Sequence, residues 1–136
     1  MARENSGARA GLRRFVELFN GGQYFASHDA LEEEWIQHKN TFDQGLIQVA
    51  AALVHWERGN LRGACKLLRS GAALLRPYAP QREGLDLEGL LRQVQEALGQ
   101  LERAAPAGGL ALADQPGGAS AGMPALPVPR IRIQWL

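Results

Sequence analysis

The 136-residue chain has a single cysteine, few aromatic residues and almost no net charge. One cysteine, Cys65, excludes an intramolecular disulfide and any cysteine-rich metal site. A formal net charge of +1 gives the chain no general attraction to nucleic acid or to an anionic membrane. The first residues mix charges and lack the apolar segment of a secretory signal, so we expect a cytoplasmic protein. The chain also lacks a P-loop and a G-x-S-x-G motif, which argues against a nucleotidase or nucleophilic hydrolase of a familiar type.

The most apolar stretch is residues 45–56, in which ten of the twelve residues are apolar or glycine. It is too short to cross a bilayer, which needs about 20 apolar residues. A helix that is apolar on every side must be enclosed by other helices. We therefore predict a buried central helix at about residues 45–58.

Apolar residues recur at helical spacing in four other segments, which predicts a compact all-α bundle of five helices. The predicted helices span about residues 8–20, 23–38, 45–58, 61–76 and 86–103. Thr41 and Gln44 form a capping-box pattern before the third helix, while Asn60 and Asp86 are predicted N-caps of the fourth and fifth helices. On the second helix the periodicity places Phe25 on the inner face and Glu34 on the solvent face.

The composition divides the chain into four parts. Residues 1–7 are predicted to be disordered, and residues 8–103 to form the helical domain. Residues 104–124 are rich in proline and glycine, which is typical of a flexible linker. Residues 125–136 are predicted to form a short extended terminal arm, because residues 128–136 alternate apolar and polar side chains. No strand pattern elsewhere offers a sheet for this arm, so it packs on the bundle, packs on a partner or stays loose.

Polar side chains interrupt the buried faces of the second and third helices. His28 and Glu32 stand four residues apart on one face, while Gln48 and His55 stand seven apart on one stripe. The turn at residues 39–40 is so short that the two helices should lie antiparallel, which brings the two faces together. The predicted site comprises His28, Glu32, Gln48 and His55 as polar groups, with Trp35 and Tyr24 as walls.

Three interpretations of this cluster stay open. In the first, the polar groups orient a small polar ligand in a pocket between helices two and three. In the second, His28, Glu32 and His55 hold a metal ion or perform acid–base catalysis. In the third, the cluster is a structural network, and the protein is a helical interaction scaffold whose groove binds the terminal arm or another protein's peptide.

The sequence assigns no catalytic residue and no cofactor. We expect no membrane partner. Arginines and a lysine line the fourth helix without aromatic residues between them to stack bases, which disfavours nucleic acid. A homo-oligomer and a peptide partner both stay open.

Three motifs in the same order resemble one known family. They are F-N-x-G-x-Y-F-x-x-H-D-x-L-E-x-x-W at residues 19–35, F-x-x-G-L-I-Q-x-A-x-A-x-x-H at 42–55 and G-N-x-x-G-A at 59–64. Over about residues 12–78 the chain resembles the family called domain of unknown function 309. The resemblance implies a small all-helical domain and implies no activity, substrate or cofactor. Asp29 stands where that pattern usually has glutamate.

Overall fold

The computed structural model describes residues 9–104 and 126–136. The predicted disordered residues 1–7 and nearly all of the predicted linker lie outside these ranges. The described chain forms five helices, which confirms the predicted all-α bundle. The helices are α1 (Ala10–Asn20), α2 (Tyr24–His38), α3 (Thr41–Glu57), α4 (Leu61–Leu75) and α5 (Leu87–Ala104). A 3-10 turn at Arg76–Tyr78 and a hairpin of β1 (Gln81–Arg82) and β2 (Leu85–Asp86) connect α4 to α5.

The apolar helix α3 occupies the centre of the bundle, between α2 and α4. Its buried residues face several directions, as expected for an enclosed helix. Gly45 on α3 and Gly71 on α4 have no side chains, so the two helices approach closely at this crossing. A Cβ atom on Gly45 would lie 2.7 Å from Leu75 Cγ and 3.2 Å from the carbonyl oxygen of Gly71.

The N-terminus of α3 is capped one residue earlier than the sequence predicts. Asn40 is the N-cap, and its Oδ1 accepts a hydrogen bond of 2.8 Å from the backbone N–H of Asp43. Asn40 Nδ2 also donates to Asp43 Oδ2 at 3.1 Å, so the side chains of the cap contact each other as well. The predicted capping box of Thr41 and Gln44 is wrong, because Thr41 is already helical and its hydroxyl contacts the Tyr78 hydroxyl instead.

The other predicted caps are confirmed. Asn60 Oδ1 accepts from the backbone N–H of Gly63 at the start of α4. Asp86 Oδ1 accepts from the backbone N–H of Gly89 at the start of α5. None of the described helices combines the length and the apolarity that a membrane span requires.

The described part of the arm, residues 126–136, is extended and packs on the bundle. Trp135 forms an antiparallel bridge with Leu85 of β2. The prediction that no strand could receive the arm was wrong, because the two-residue strand β2 pairs with it at Trp135. So short a strand shows no period-two pattern that sequence inspection could detect.

Candidate functional site

The predicted polar residues of α2 lie partly exposed on that helix. The His28 ring stacks on the Phe25 ring, with the ring centroids 6.4 Å apart. Phe25 is 62% exposed, so its predicted inner position is wrong. Glu32 lies on the same helix and is partly exposed. The α2 side of the predicted cluster therefore faces partly into solvent.

The two polar residues of α3 find partners away from α2. Gln48 Oε1 accepts a hydrogen bond from the Ser70 hydroxyl on α4. His55 Nδ1 lies 3.0 Å from Asn60 Nδ2 in the turn that precedes α4. Among the described residues, no hydrogen bond or ion pair joins any two of His28, Glu32, Gln48 and His55. Their convergence on a shared ligand stays a prediction.

The two predicted wall residues occupy different surroundings. Trp35 is partly buried beneath the Lys39 ammonium, which lies 4.3 Å from its ring centroid. The buried Trp35 Nε1–H has no hydrogen-bond partner within the described residues. Tyr24 is buried and packs edge-on against Phe19, with the ring centroids 5.2 Å apart. Burial raises the pKa of the Tyr24 phenol, and the Glu57 carboxylate raises it further.

The predicted metal ligands do not form a three-ligand group. Among the described residues, no three His, Cys, Asp or Glu side chains lie close enough together to hold a metal ion. Cys65 is buried, and burial raises the pKa of its thiol. A neutral buried thiol is a poor nucleophile, so Cys65 belongs to the hydrophobic core.

A more complete arrangement of polar groups surrounds the arm. Asn20, the last residue of α1, donates from Nδ2 to the carbonyl of Ile133 and accepts at Oδ1 from the N–H of Ile133, both at 2.8 Å. Gln93 of α5 makes the same pair of bonds with Arg132, at 2.8 and 2.9 Å. Each side-chain amide thus replaces the backbone of a neighbouring strand.

The hairpin and α3 extend this set of contacts. The N–H of Asp86 donates to the carbonyl of Gln134 at 2.9 Å, and the N–H of Leu136 donates to the carbonyl of Gly84 at 2.7 Å. At the other end, Trp56 Nε1 donates to the carbonyl of Leu126 at 3.1 Å. The hydrogen bonds to the arm backbone are therefore concentrated at residues 132–136, with one more at Leu126.

Apolar side chains of the arm pack into the hydrophobic core of the bundle. Ile131 and Ile133 are each 2% exposed and belong to the main hydrophobic core, whereas Arg132 between them is exposed. A cavity of about 240 Å³ lies beside the arm, and its lining includes Tyr24, Glu57 and Arg130. We call the surface that receives the arm the arm groove. Its polar contacts come from Asn20, Trp56, Gly84, Asp86 and Gln93.

The sequence predicted a terminal arm and a groove that could receive it, but not the residues that form the arm groove. Asn20 was assigned only to the end of α1, although it also binds a residue 113 positions further along the chain. Gln93 binds a residue 39 positions away. No local sequence pattern identifies an asparagine or glutamine that will bind an extended segment. The alternation in residues 128–136 was therefore the available signal, and it indicates the arm but not its binding residues.

Comparisons with known proteins agree with the sequence motifs. Residues 12–67 match the family model described as Domain of unknown function (DUF309). The chain is 32% identical over 100 residues to the uncharacterized protein YpuF of Bacillus subtilis (strain 168), covering 69% of this chain and 58% of that protein. The match thus spans less than two thirds of this relative's length. No solved structure matches the chain significantly. The predicted resemblance is thereby confirmed, and the region from α1 into α4 is similar to the family of domain of unknown function 309.

Proposed function

We propose that this protein is a helical protein-interaction domain whose arm groove binds an extended peptide segment. In this chain, residues 126–136 occupy the groove. The observation that carries the proposal is the pair of two-bond contacts from Asn20 and Gln93 to consecutive residues of the arm. Such contacts recognise an extended backbone, which is how domains that add a peptide strand obtain affinity.

The groove has the two features that peptide recognition of this kind needs. Backbone hydrogen bonds bind any extended segment, and buried positions for alternate side chains supply selectivity. The hairpin provides an edge at Gly84 and Asp86, while the core accepts Ile131 and Ile133. The buried free thiol of Cys65 is consistent with a reducing compartment, and we place the protein in the cytoplasm.

Exchange of the arm tests this function in the full-length chain. A recognition site for a specific protease, introduced within residues 105–125, allows the connection to be cut after folding, so that only non-covalent contacts hold the arm. We expect a fluorescent peptide of residues 126–136 to replace the cut arm, as measured by anisotropy. A scrambled peptide is the control. A cut arm that never exchanges with the matching peptide would refute the docking function.

Two variants separate specific docking from general adhesion. Asn20→Ala or Gln93→Ala removes two hydrogen bonds worth about 1 kcal/mol each, so peptide affinity should fall roughly 30-fold. Gln95→Ala is the matched control, because Gln95 lies exposed on the same helix as Gln93. Equal affinities for Gln93→Ala and Gln95→Ala would mean that the amide contact does not contribute to binding.

A second candidate function is the predicted small-molecule pocket between α2 and α3. One observation favours it, since a buried indole N–H without a partner, as at Trp35, can be satisfied by a bound acceptor. A thermal-shift screen of small carboxylates should then find a compound that stabilises the wild-type protein but not Trp35→Phe. Equal stabilisation of both proteins would show that the Trp35 N–H does not bind the compound.

A further inference from the structure

We infer that the arm groove selects extended peptide segments that carry two branched aliphatic residues separated by one residue of any type. The backbone N–H groups of such a segment must also be free to donate hydrogen bonds. This inference rests on the proposed docking function and specifies its partner. The arm itself supplies the pattern, as Ile131-Arg132-Ile133. The partner is thus a peptide segment of a protein, and its middle residue can have any side chain.

The side-chain requirement follows from burial. Ile131 and Ile133 are almost fully buried, and Arg132 points into solvent. Branched aliphatic residues fit such positions well, because their restricted χ1 angles favour extended backbone and lose little freedom on binding. Replacing one of them with alanine in the peptide should weaken binding at least roughly 30-fold, whereas Arg132→Ala should change it less than about 3-fold.

The backbone requirement follows from the two edges of the arm. Arg132 and Ile133 donate their N–H groups in opposite directions, to Gln93 Oε1 and Asn20 Oδ1 respectively. The N–H of Trp135 has no hydrogen-bond partner among the described residues. N-methylation of the peptide at Arg132 or Ile133 therefore removes a bond, while N-methylation at Trp135 removes none.

A weaker preference concerns charge. Arg130 and Glu57 line the same cavity, and both act electrostatically on Tyr24. A basic residue immediately before the first aliphatic position should therefore bind slightly better than a neutral one. Because Arg130 is exposed, this contribution is small and sensitive to salt.

The test uses the full-length protein cut within residues 105–125, with synthetic peptides competing against the cut arm. We expect the N-methyl-Ile133 and N-methyl-Arg132 peptides to bind at least about tenfold more weakly than the N-methyl-Trp135 peptide. The Ile131→Ala and Ile133→Ala peptides should show the losses given above, with circular dichroism verifying that the protein stays folded.

The outcomes distinguish the inference from the function on which it rests. If no peptide exchanges, including the unmodified one, the docking function is refuted. If the unmodified peptide exchanges but all three N-methylated peptides bind alike, the docking function stands and the backbone selection is refuted. If Ile131→Ala and Arg132→Ala weaken binding equally, the aliphatic pattern is refuted.

Discussion

Arg9 connects three separate parts of the chain to one another. Its guanidinium forms a two-pronged ion pair with Asp43 at 2.7 and 2.8 Å, and it also contacts Glu34 at 2.8 Å and Glu83 at 3.1 Å. The Asp43 side chain is fully buried, whereas the other partners are partly exposed. Hydrogen bonding to Asp43 is the main reason that the pKa of Arg9 is raised. This cluster links α2, α3 and the hairpin to the residue that precedes α1.

We predict that Arg9→Ala strongly destabilises the protein, because it leaves the buried Asp43 carboxylate without its cation. Removing one partner of a buried ion pair typically costs about 3–5 kcal/mol, and the 28% exposure of the Arg9 side chain places the expected loss at the lower end of that range. Urea unfolding followed by circular dichroism measures this loss. Arg14→Ala is the control, because its pair with Glu17 is largely exposed and its effect should stay within about 0.5 kcal/mol. Similar stabilities for the two variants would contradict the prediction.

The sequence could not reveal this cluster, because helical periodicity describes one helix at a time. Glu34 was predicted to face solvent from its position on α2, yet it accepts hydrogen bonds from Arg9 and from the backbone N–H of Gly11. Phe25 shows the opposite error, because it was predicted to lie on the inner face of α2 and is in fact exposed. The position of α1 decides the surroundings of Glu34, and the sequence of α2 alone carries no information about that position.

At the scale of elements, the crossing of α3 and α4 depends on glycine. We predict that Gly45→Ala destabilises the protein by about 1–2 kcal/mol. Overpacking against Leu75 and the Gly71 carbonyl costs about 1–3 kcal/mol, and the better helix propensity of alanine returns part of it. Thermal and urea unfolding measure the change.

Gly21→Ala is the matched control for this substitution. Gly21 has an ordinary φ of −83°, and a Cβ there would meet only backbone oxygens at 3.4 Å or more. Its unfolding free energy should therefore remain within about 0.5 kcal/mol of the wild type. A stable Gly45→Ala protein would show that Leu75 can move aside at no cost.

Four of the helices were predictable from their periodic patterns and α3 from its continuous apolar run, and Asn60 and Asp86 cap α4 and α5 as expected. The hairpin was not predictable from the sequence, because its turn contains a residue that is unusual at that position. Glu83 and Gly84 both have positive φ, at 52° and 84°, as a type I′ turn requires. The usual sequence signal for such a turn is asparagine or aspartate before the glycine. Glutamate stands at that position here, so the signal is absent.

At the scale of the whole molecule, the arm groove exists only because distant segments meet. It combines the ends of α1 and α3, the hairpin and α5, which local sequence patterns cannot bring together. The sequence did predict that an extended segment would exist and that a groove on the bundle or a partner could receive it. The predicted polar site is the reverse case, because two of its residues, Gln48 and His55, form hydrogen bonds to α4 and its N-cap instead of to the polar residues of α2.

Covalent attachment of the arm has a measurable consequence for any competing peptide. A tethered ligand acts at an effective concentration of about 1 mM, so a peptide with a dissociation constant of about 10 µM would find roughly one groove in a hundred open. We predict that the intact protein binds the fluorescent peptide of residues 126–136 about 100-fold more weakly than the cut protein does. Anisotropy titrations of both forms at equal protein concentration measure this ratio. Equal affinities would mean that the added peptide binds elsewhere, since a peptide that enters the arm groove must first displace the segment already attached there.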